Sequence, residues 1–113
     1  MGSLSSKQLT PEEMDLIKDK VEEIIKDNKV VVFSKSYCPF CKKAKQLLTG
    51  LGVDFFVLEL DKESDGPAMQ DYLKEKTGQR TVPNIFINQK HIGGCDDLFE
   101  KHESGELNLK QIA

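Results

Sequence analysis

The sequence predicts an α/β domain in which a four-stranded mixed sheet carries helices on both faces. Three patterns predict this class: two short apolar runs flank a helix-like segment, a hairpin pattern follows in the second half, and further helix-like segments lie between and around these units. The chain has 113 residues, enough for one domain whose core needs neither metal nor crosslink. We expect a single domain over residues 10–113 and a disordered tail or expression remnant over residues 1–9.

The first three elements have clear local signals. Residues 10–13 read as a capping box with proline at the first helical position, and apolar residues then recur at helical spacing to about Asn28. Residues 30–33 are apolar without polar alternation, which predicts a central strand covered on both faces. A second helix should stop at Gly50 and Gly52, and its apolar stripe consists of Cys41, Ala44, Leu47, Leu48 and Leu51.

The remaining elements complete the order α-β-α-β-α-β-β-α. Residues 54–60 form a second apolar strand, parallel to the first through a right-handed crossover. A third helix begins at residues 65–67, ends near Gly78 and directs Met69, Tyr72 and Leu73 inward. Residues 85–92 fit a short antiparallel hairpin, and helices follow at about residues 96–102 and, at the end of the chain, around Leu107, Leu109 and Ile112.

The composition excludes several classes of function. Charged residues make up 31% of the chain, but the net charge is only −3 and both signs are interspersed, so neither a nucleic-acid nor a membrane surface is indicated. The longest apolar runs are far shorter than the roughly 20 residues that cross a bilayer. The start of the chain has no apolar signal segment. We therefore expect a cytoplasmic protein, without nucleic-acid or membrane partners.

Cys38 and Cys41 are the most informative pair of residues. They follow the first strand and open the second helix, so Cys38 is expected at the N-cap, with Pro39 at the first helical position and Cys41 one turn in. The free N–H groups of a helix N-terminus favour a thiolate, which makes Cys38 the expected nucleophile. One helical turn also separates the two Cα atoms by roughly 5.5 Å, a distance that a disulfide accepts.

A Cys-x-x-Cys pair has other interpretations. Half of a zinc site would require further ligands, and only Cys95, His91 and His102 are available, without finger-like spacing. A structural disulfide of a secreted protein fits poorly with the odd number of cysteines. Beside a βαβ pattern, the pair is typical of a thioredoxin-like redox motif, and no metal is expected.

Three motifs together resemble the dithiol glutaredoxins. They are Lys35-x-x-Cys38-Pro39-Phe40-Cys41, Thr81-Val82-Pro83 and Gly93-Gly94-Cys95-Asp96-Asp97, which occur in the order and at the spacing of that family. The resemblance extends over residues 30–98 and implies a thioredoxin-like fold. It also implies a monomeric, glutathione-dependent thiol–disulfide oxidoreductase that acts in cell redox homeostasis, with glutathione as its co-substrate.

The resemblance also assigns a glutathione site. It implies a cis proline at Pro83 that faces the thiols, next to Thr81 and Val82, whose backbone would pair with the tripeptide. The backbone of Cys95 and Asp96 would hold the γ-glutamyl carboxylate, and the Asp97 side chain would take the α-amine. Further contacts would come from Phe40, which stands where many members have tyrosine, and, at the glycyl end, from Lys35, Gln70 and Arg80.

In the implied reaction, Cys38 attacks the glutathionyl sulfur of a mixed disulfide, and Cys41 resolves mixed disulfides formed with protein disulfides. The partners would thus be glutathione, glutathionylated proteins and protein disulfides. Three alternatives stay open: a thioredoxin-type reductase served by a flavoprotein, an iron–sulfur carrier that shares a cluster between two chains, and a binding module without turnover. Pro39 differs from the serine or glycine of most cluster-binding relatives, which disfavours the second alternative.

Overall fold

The computed structural model describes residues 9–108. Four helices and four strands alternate in the predicted order, and their bounds are α1 Pro11–Asp27, β1 Val30–Ser34, α2 Pro39–Gly50, β2 Phe56–Glu59, α3 Gly66–Thr77, β3 Asn84–Ile87, β4 Lys90–Gly93 and α4 Cys95–Ser104. The predicted tail, apart from residue 9, and most of the predicted terminal helix lie outside the described residues. Within residues 9–108 no helix is both long and apolar enough to span a membrane.

The four strands form one mixed sheet in the order β2-β1-β3-β4. β1 runs parallel to β2, with Val31 opposite Phe56, and antiparallel to β3, with Val31 opposite Phe86. β3 and β4 form the predicted hairpin, and its two-residue turn places Asn88 and Gln89 at positive φ angles of 51° and 68°. The predicted fold class and the central position of β1 are confirmed.

The continuous apolar pattern of β1 follows from its position between two cores. Val30 and Val32 pack with α2 and α4 on one face of the sheet. Val31 and Phe33 pack with α1 and α3 on the other face. Because successive side chains of a strand point to opposite faces, a strand covered on both sides has no polar alternation.

The bounds of β2 and of α4 differ from the prediction. β2 covers only Phe56–Glu59 instead of residues 54–60, and a single 3-10 turn follows at Leu60–Lys62. α4 begins at Cys95, one residue earlier than predicted, and ends at Ser104, before Gly105 in a left-handed conformation. The turn after β2 contains Asp61, which accepts a hydrogen bond from the loop between β1 and α2.

Candidate functional site

Cys38 occupies the N-cap of α2, with Pro39 at the first helical position as predicted. Its side chain is half-buried. The Sγ atom accepts a hydrogen bond from the Cys41 backbone N–H at 3.4 Å and lies 3.8 Å from the Val82 carbonyl oxygen. The nucleophile candidate is thus in contact with a free N–H group of the helix and with the loop that precedes β3.

Cys41 lies one turn further along α2 and is fully buried. Burial raises the pKa of its thiol to about 11, with smaller opposing contributions from the Lys35 backbone and the Ser34 hydroxyl. The two thiols therefore differ in accessibility: Cys38 is half-buried beside the groove, whereas Cys41 is enclosed by the core. All three cysteines are free thiols in this structure.

The loop between β1 and α2 is fixed from both sides. The Cys38 N–H donates to the Lys35 carbonyl at 3.0 Å, which closes a turn. The Ser36 N–H donates to Asp61 Oδ1 at 2.9 Å, and the Ser36 hydroxyl donates a short hydrogen bond to Oδ2. These bonds from Ser36 hold the pKa of the Asp61 carboxyl below its usual range. Asp61 thereby anchors the segment that carries Cys38.

A groove of about 530 Å³ opens beside the dithiol. Its walls come from the start of α2, from the segment that joins α3 to β3, and from the start of α4. Its lining residues are Phe40, Gln79, Thr81, Val82, Pro83, Gly94, Cys95, Asp96 and Asp97. Three segments that are distant in the sequence thus meet at one site, and each belongs to one of the three motifs noted above.

The Val82–Pro83 peptide bond is cis, as the resemblance implied. Val82 is half-buried and Pro83 is buried, whereas Thr81 is exposed. Because the Val82 carbonyl contacts Cys38 Sγ, this segment forms the part of the groove nearest to the sulfur.

The opposite end of the groove is built by the start of α4. Asp97 Oδ2 accepts a hydrogen bond from the Gly94 N–H at 2.9 Å, which fixes the carboxylate at the helix N-terminus. Gly93 has a φ of +120°, and a Cβ atom there would lie 2.3 Å from Asp97 Oδ2, so only glycine fits. Cys95 is buried at the first helical position, and burial raises the pKa of its thiol.

Of the ten residues expected to contact glutathione, seven line the groove, and Lys35, Gln70 and Arg80 do not. Gln70 lies on the buried face of α3, and its Nε2 donates to the Arg80 carbonyl at 2.7 Å. Its side chain therefore holds the segment before β3 from the side of α3. Arg80 is exposed and forms an ion pair with Asp71 at 3.3 Å.

Sequence reasoning missed Gln79, which lines the groove between the Thr81–Pro83 segment and Gly94. A single glutamine after Gly78 carries no recognisable pattern, so no local signal marked it. Within residues 9–108 no group of three or more His, Cys, Asp or Glu side chains could hold a metal ion.

The fold and the dithiol at the N-cap of α2 define a thiol–disulfide oxidoreductase of the thioredoxin-like class. Comparisons with known proteins are more specific. The glutaredoxin family model matches residues 30–92. "Glutaredoxin-1" of Rhizophagus irregularis is 57% identical over 100 residues, which cover 88% of this chain and 98% of the relative. "Glutaredoxin-C1" of Arabidopsis thaliana is 52% identical over 108 residues, which cover 95% and 86%.

Solved structures agree with these relatives. The buckwheat glutaredoxin–glutathione complex superposes with a TM-score of 0.87 at 46% identity, over 92% of this chain and 96% of that chain. The chain belongs to the glutaredoxin family, and it is a glutathione-dependent oxidoreductase.

Proposed function

We propose that the protein reduces mixed disulfides of glutathione, including glutathionylated proteins, with Cys38 as the nucleophile. The observation that carries this proposal is the position of Cys38 Sγ, half-buried at the N-cap of α2 and 3.8 Å from the Val82 carbonyl at the edge of the groove. A sulfur at this place accepts a hydrogen bond from a helix N–H group, and it remains accessible to a disulfide.

The reaction is an exchange in two steps. The Cys38 thiolate attacks the glutathionyl sulfur, a bond forms between these two sulfurs, and the substrate leaves as a thiolate that takes up a proton. The thiolate of a second glutathione then attacks the glutathionyl sulfur on Cys38. This step forms glutathione disulfide and restores the Cys38 thiolate. In total one free glutathione is consumed: the disulfide between the substrate and its glutathione is exchanged for glutathione disulfide, and the substrate is released as a thiol.

For protein disulfides we propose a route through Cys41. Cys38 first forms a mixed disulfide with the protein substrate. Cys41 then attacks Cys38, so that the Cys38–Cys41 disulfide closes and the reduced substrate leaves. The contact between Cys38 Sγ and the Cys41 N–H supports this route, because the two residues are one helical turn apart. Two glutathione molecules reduce the new disulfide afterwards.

Glutathione is an extended peptide with two carboxylates and one ammonium group, and the groove offers matching groups. The backbone around Val82 supplies a strand-like edge near the sulfur. The start of α4 supplies N–H groups for the γ-glutamyl carboxylate, and the Asp97 carboxylate suits the ammonium group. The structural relative from buckwheat, a glutaredoxin–glutathione complex, supports this assignment.

We further propose that the protein acts as a monomer in the cytoplasm. The dithiol and all walls of the groove come from one chain, so the proposed reaction needs no second subunit. The reaction requires free thiols, which persist in the reducing environment of the cytosol.

The test is a coupled assay with a glutathione mixed disulfide, in which each reductant is supplied separately. We expect turnover with glutathione and glutathione reductase, and complete loss of turnover in Cys38→Ser. Turnover by Cys38→Ser would refute the assignment of the nucleophile. Activity that depends on a flavoprotein thioredoxin reductase, with none from glutathione, would favour the thioredoxin-type alternative.

A further inference from the structure

The side chain of Gln79 connects the two walls of the groove. Its Nε2 donates hydrogen bonds to the Thr81 carbonyl at 3.0 Å and to the Pro83 carbonyl at 2.9 Å. The position of a Cβ atom on Gly94 would lie 4.0 Å from the same nitrogen and 3.7 Å from the Pro83 carbonyl. The amide therefore stands between the segment around Val82 and the N-terminus of α4.

The conformation of Gln79 is fixed by its backbone as well. Its N–H donates to Thr77 Oγ1 at 3.0 Å, and its carbonyl accepts from Asn84 Nδ2 at 3.3 Å. Both amide hydrogens of the side chain are used by the two carbonyls. Because the residue lines the groove, the Oε1 atom remains as an acceptor for a bound N–H or ammonium group.

We infer that Gln79 is a positioning residue for glutathione, an inference that rests on the function proposed above. By binding the carbonyls on both sides of Val82, it holds that backbone where an extended tripeptide pairs with it. Its amide group stands next to Gly94, at the end of the groove that carries the Asp97 carboxylate, so Oε1 can add an acceptor there. Gln79 binds the Thr81 and Pro83 carbonyls and not the Val82 carbonyl that contacts Cys38 Sγ, so it acts on the affinity for the glutathionyl part of a substrate more than on the exchange at Cys38.

The experiment compares Gln79→Met and Gln79→Glu with the parent protein. Methionine keeps the length of the side chain but removes both donors, and glutamate places a carboxylate against two carbonyl oxygens. Gln46→Met, on the exposed surface of α2, is the matched control. The assay follows the mixed disulfide of glutathione and 2-mercaptoethanol, coupled to glutathione reductase.

We expect KM for the mixed disulfide to rise about three- to tenfold in Gln79→Met and further in Gln79→Glu, with kcat within about twofold of the parent. The rate of alkylation of Cys38 by iodoacetamide should not change, because this reagent does not use the groove. Gln46→Met should match the parent in all three quantities. A residue with a purely structural role would instead change kcat and the alkylation rate.

An unchanged KM in both Gln79 variants overturns the inference, as does a loss of kcat and of alkylation rate at constant KM. If Gln79→Glu does not fold, Gln79→Met carries the test, and failure of both to fold overturns the inference in favour of a structural role. The parent assay separates the two proposals. If the parent does not turn over the mixed disulfide, the proposed function fails as well; turnover by the parent with unaltered variants overturns only the role of Gln79.

Discussion

The burial of Cys41 predicts that Cys41→Ser retains the reduction of glutathione mixed disulfides and loses the reduction of protein disulfides. The first reaction needs only Cys38, the groove and free glutathione. The replacement should be tolerated, because the Lys35 backbone and the Ser34 hydroxyl lie within hydrogen-bonding range of the side chain at position 41. A serine hydroxyl therefore finds partners in the core and does not leave a buried polar group unpaired.

The magnitude follows from the pKa of about 11 that burial gives the Cys41 thiol. At pH 7 only about one Cys41 side chain in ten thousand is a thiolate, against about 3% for an ordinary cysteine thiol. Since the thiolate is the attacking species, closure of the Cys38–Cys41 disulfide should accelerate about tenfold for each pH unit between pH 7 and 10. Glutathionylation of Cys38 removes the hydrogen bond and the charge interaction that also raise this pKa, but it leaves burial, the largest cause, so the closure rate should still rise with pH.

Two measurements check the prediction. Steady-state assays should give Cys41→Ser a kcat within about twofold of the parent for the small mixed disulfide, and no turnover of a protein disulfide. When Cys38-glutathionylated parent protein is rapidly mixed into buffers of rising pH, the rate of glutathione release should increase with pH as the Cys38–Cys41 disulfide closes. Glutathionylated Cys41→Ser should release none. A tenfold loss of mixed-disulfide turnover in Cys41→Ser, or a closure rate that is flat from pH 7 to 10, would refute the reasoning.

Three further predictions concern residues around the site. Asp61→Ala should lower kcat/KM for the mixed disulfide, because the loop before Cys38 loses its anchor, and kinetics equal to the parent's would argue against this role. Gly93→Ala should displace the Asp97 carboxylate and raise KM, with destabilisation on the order of 1–3 kcal/mol measurable by urea unfolding. Tyr72→Phe removes the hydrogen bond to Glu22 and should cost about 1 kcal/mol at neutral pH. Burial raises the pKa of the Glu22 carboxyl in the folded state, but the hydrogen bonds from Tyr72 and Lys76 outweigh it, so the pKa is lowered. The stability difference between Tyr72→Phe and the parent should therefore be present above the ordinary carboxyl pKa. It should disappear as the pH falls through the lowered pKa of Glu22.

Much of the fold was predictable because its signals are local. The capping box at residues 10–13 is present as predicted, with the Thr10 hydroxyl accepting from the Glu13 N–H and the Glu13 carboxylate accepting in return. The bounds of β2 were not predictable in this way. Residues 54–60 carry no internal stop signal, and the strand ends where its partner does, since Ser34 opposite Glu59 is the last pair with β1. A boundary set by a neighbouring strand is a tertiary property.

The same distinction between local and tertiary features applies to the residues of the candidate site. Cys38 and Cys41 were placed correctly because an N-cap, a proline and one helical turn are all short-range features. The different positions of Gln70 and Gln79 could not be predicted in this way, because no local sequence pattern indicates which of the two side-chain amides reaches the groove. Gln70 binds the Arg80 carbonyl from the buried face of α3, and Gln79 binds the Thr81 and Pro83 carbonyls from the groove.

Two glutamine amides thus hold three carbonyls of one short segment that belongs to no helix or strand until β3 begins at Asn84. Irregular backbone must satisfy its polar groups without a ladder, and side-chain amides can take that role. The segment is therefore fixed on both sides before any ligand arrives, which reduces the ordering cost of binding an extended peptide against it. If both amides are required, replacing Gln70 should weaken glutathione binding even though Gln70 does not line the groove. Replacing Gln79, which does line the groove, should weaken it as well.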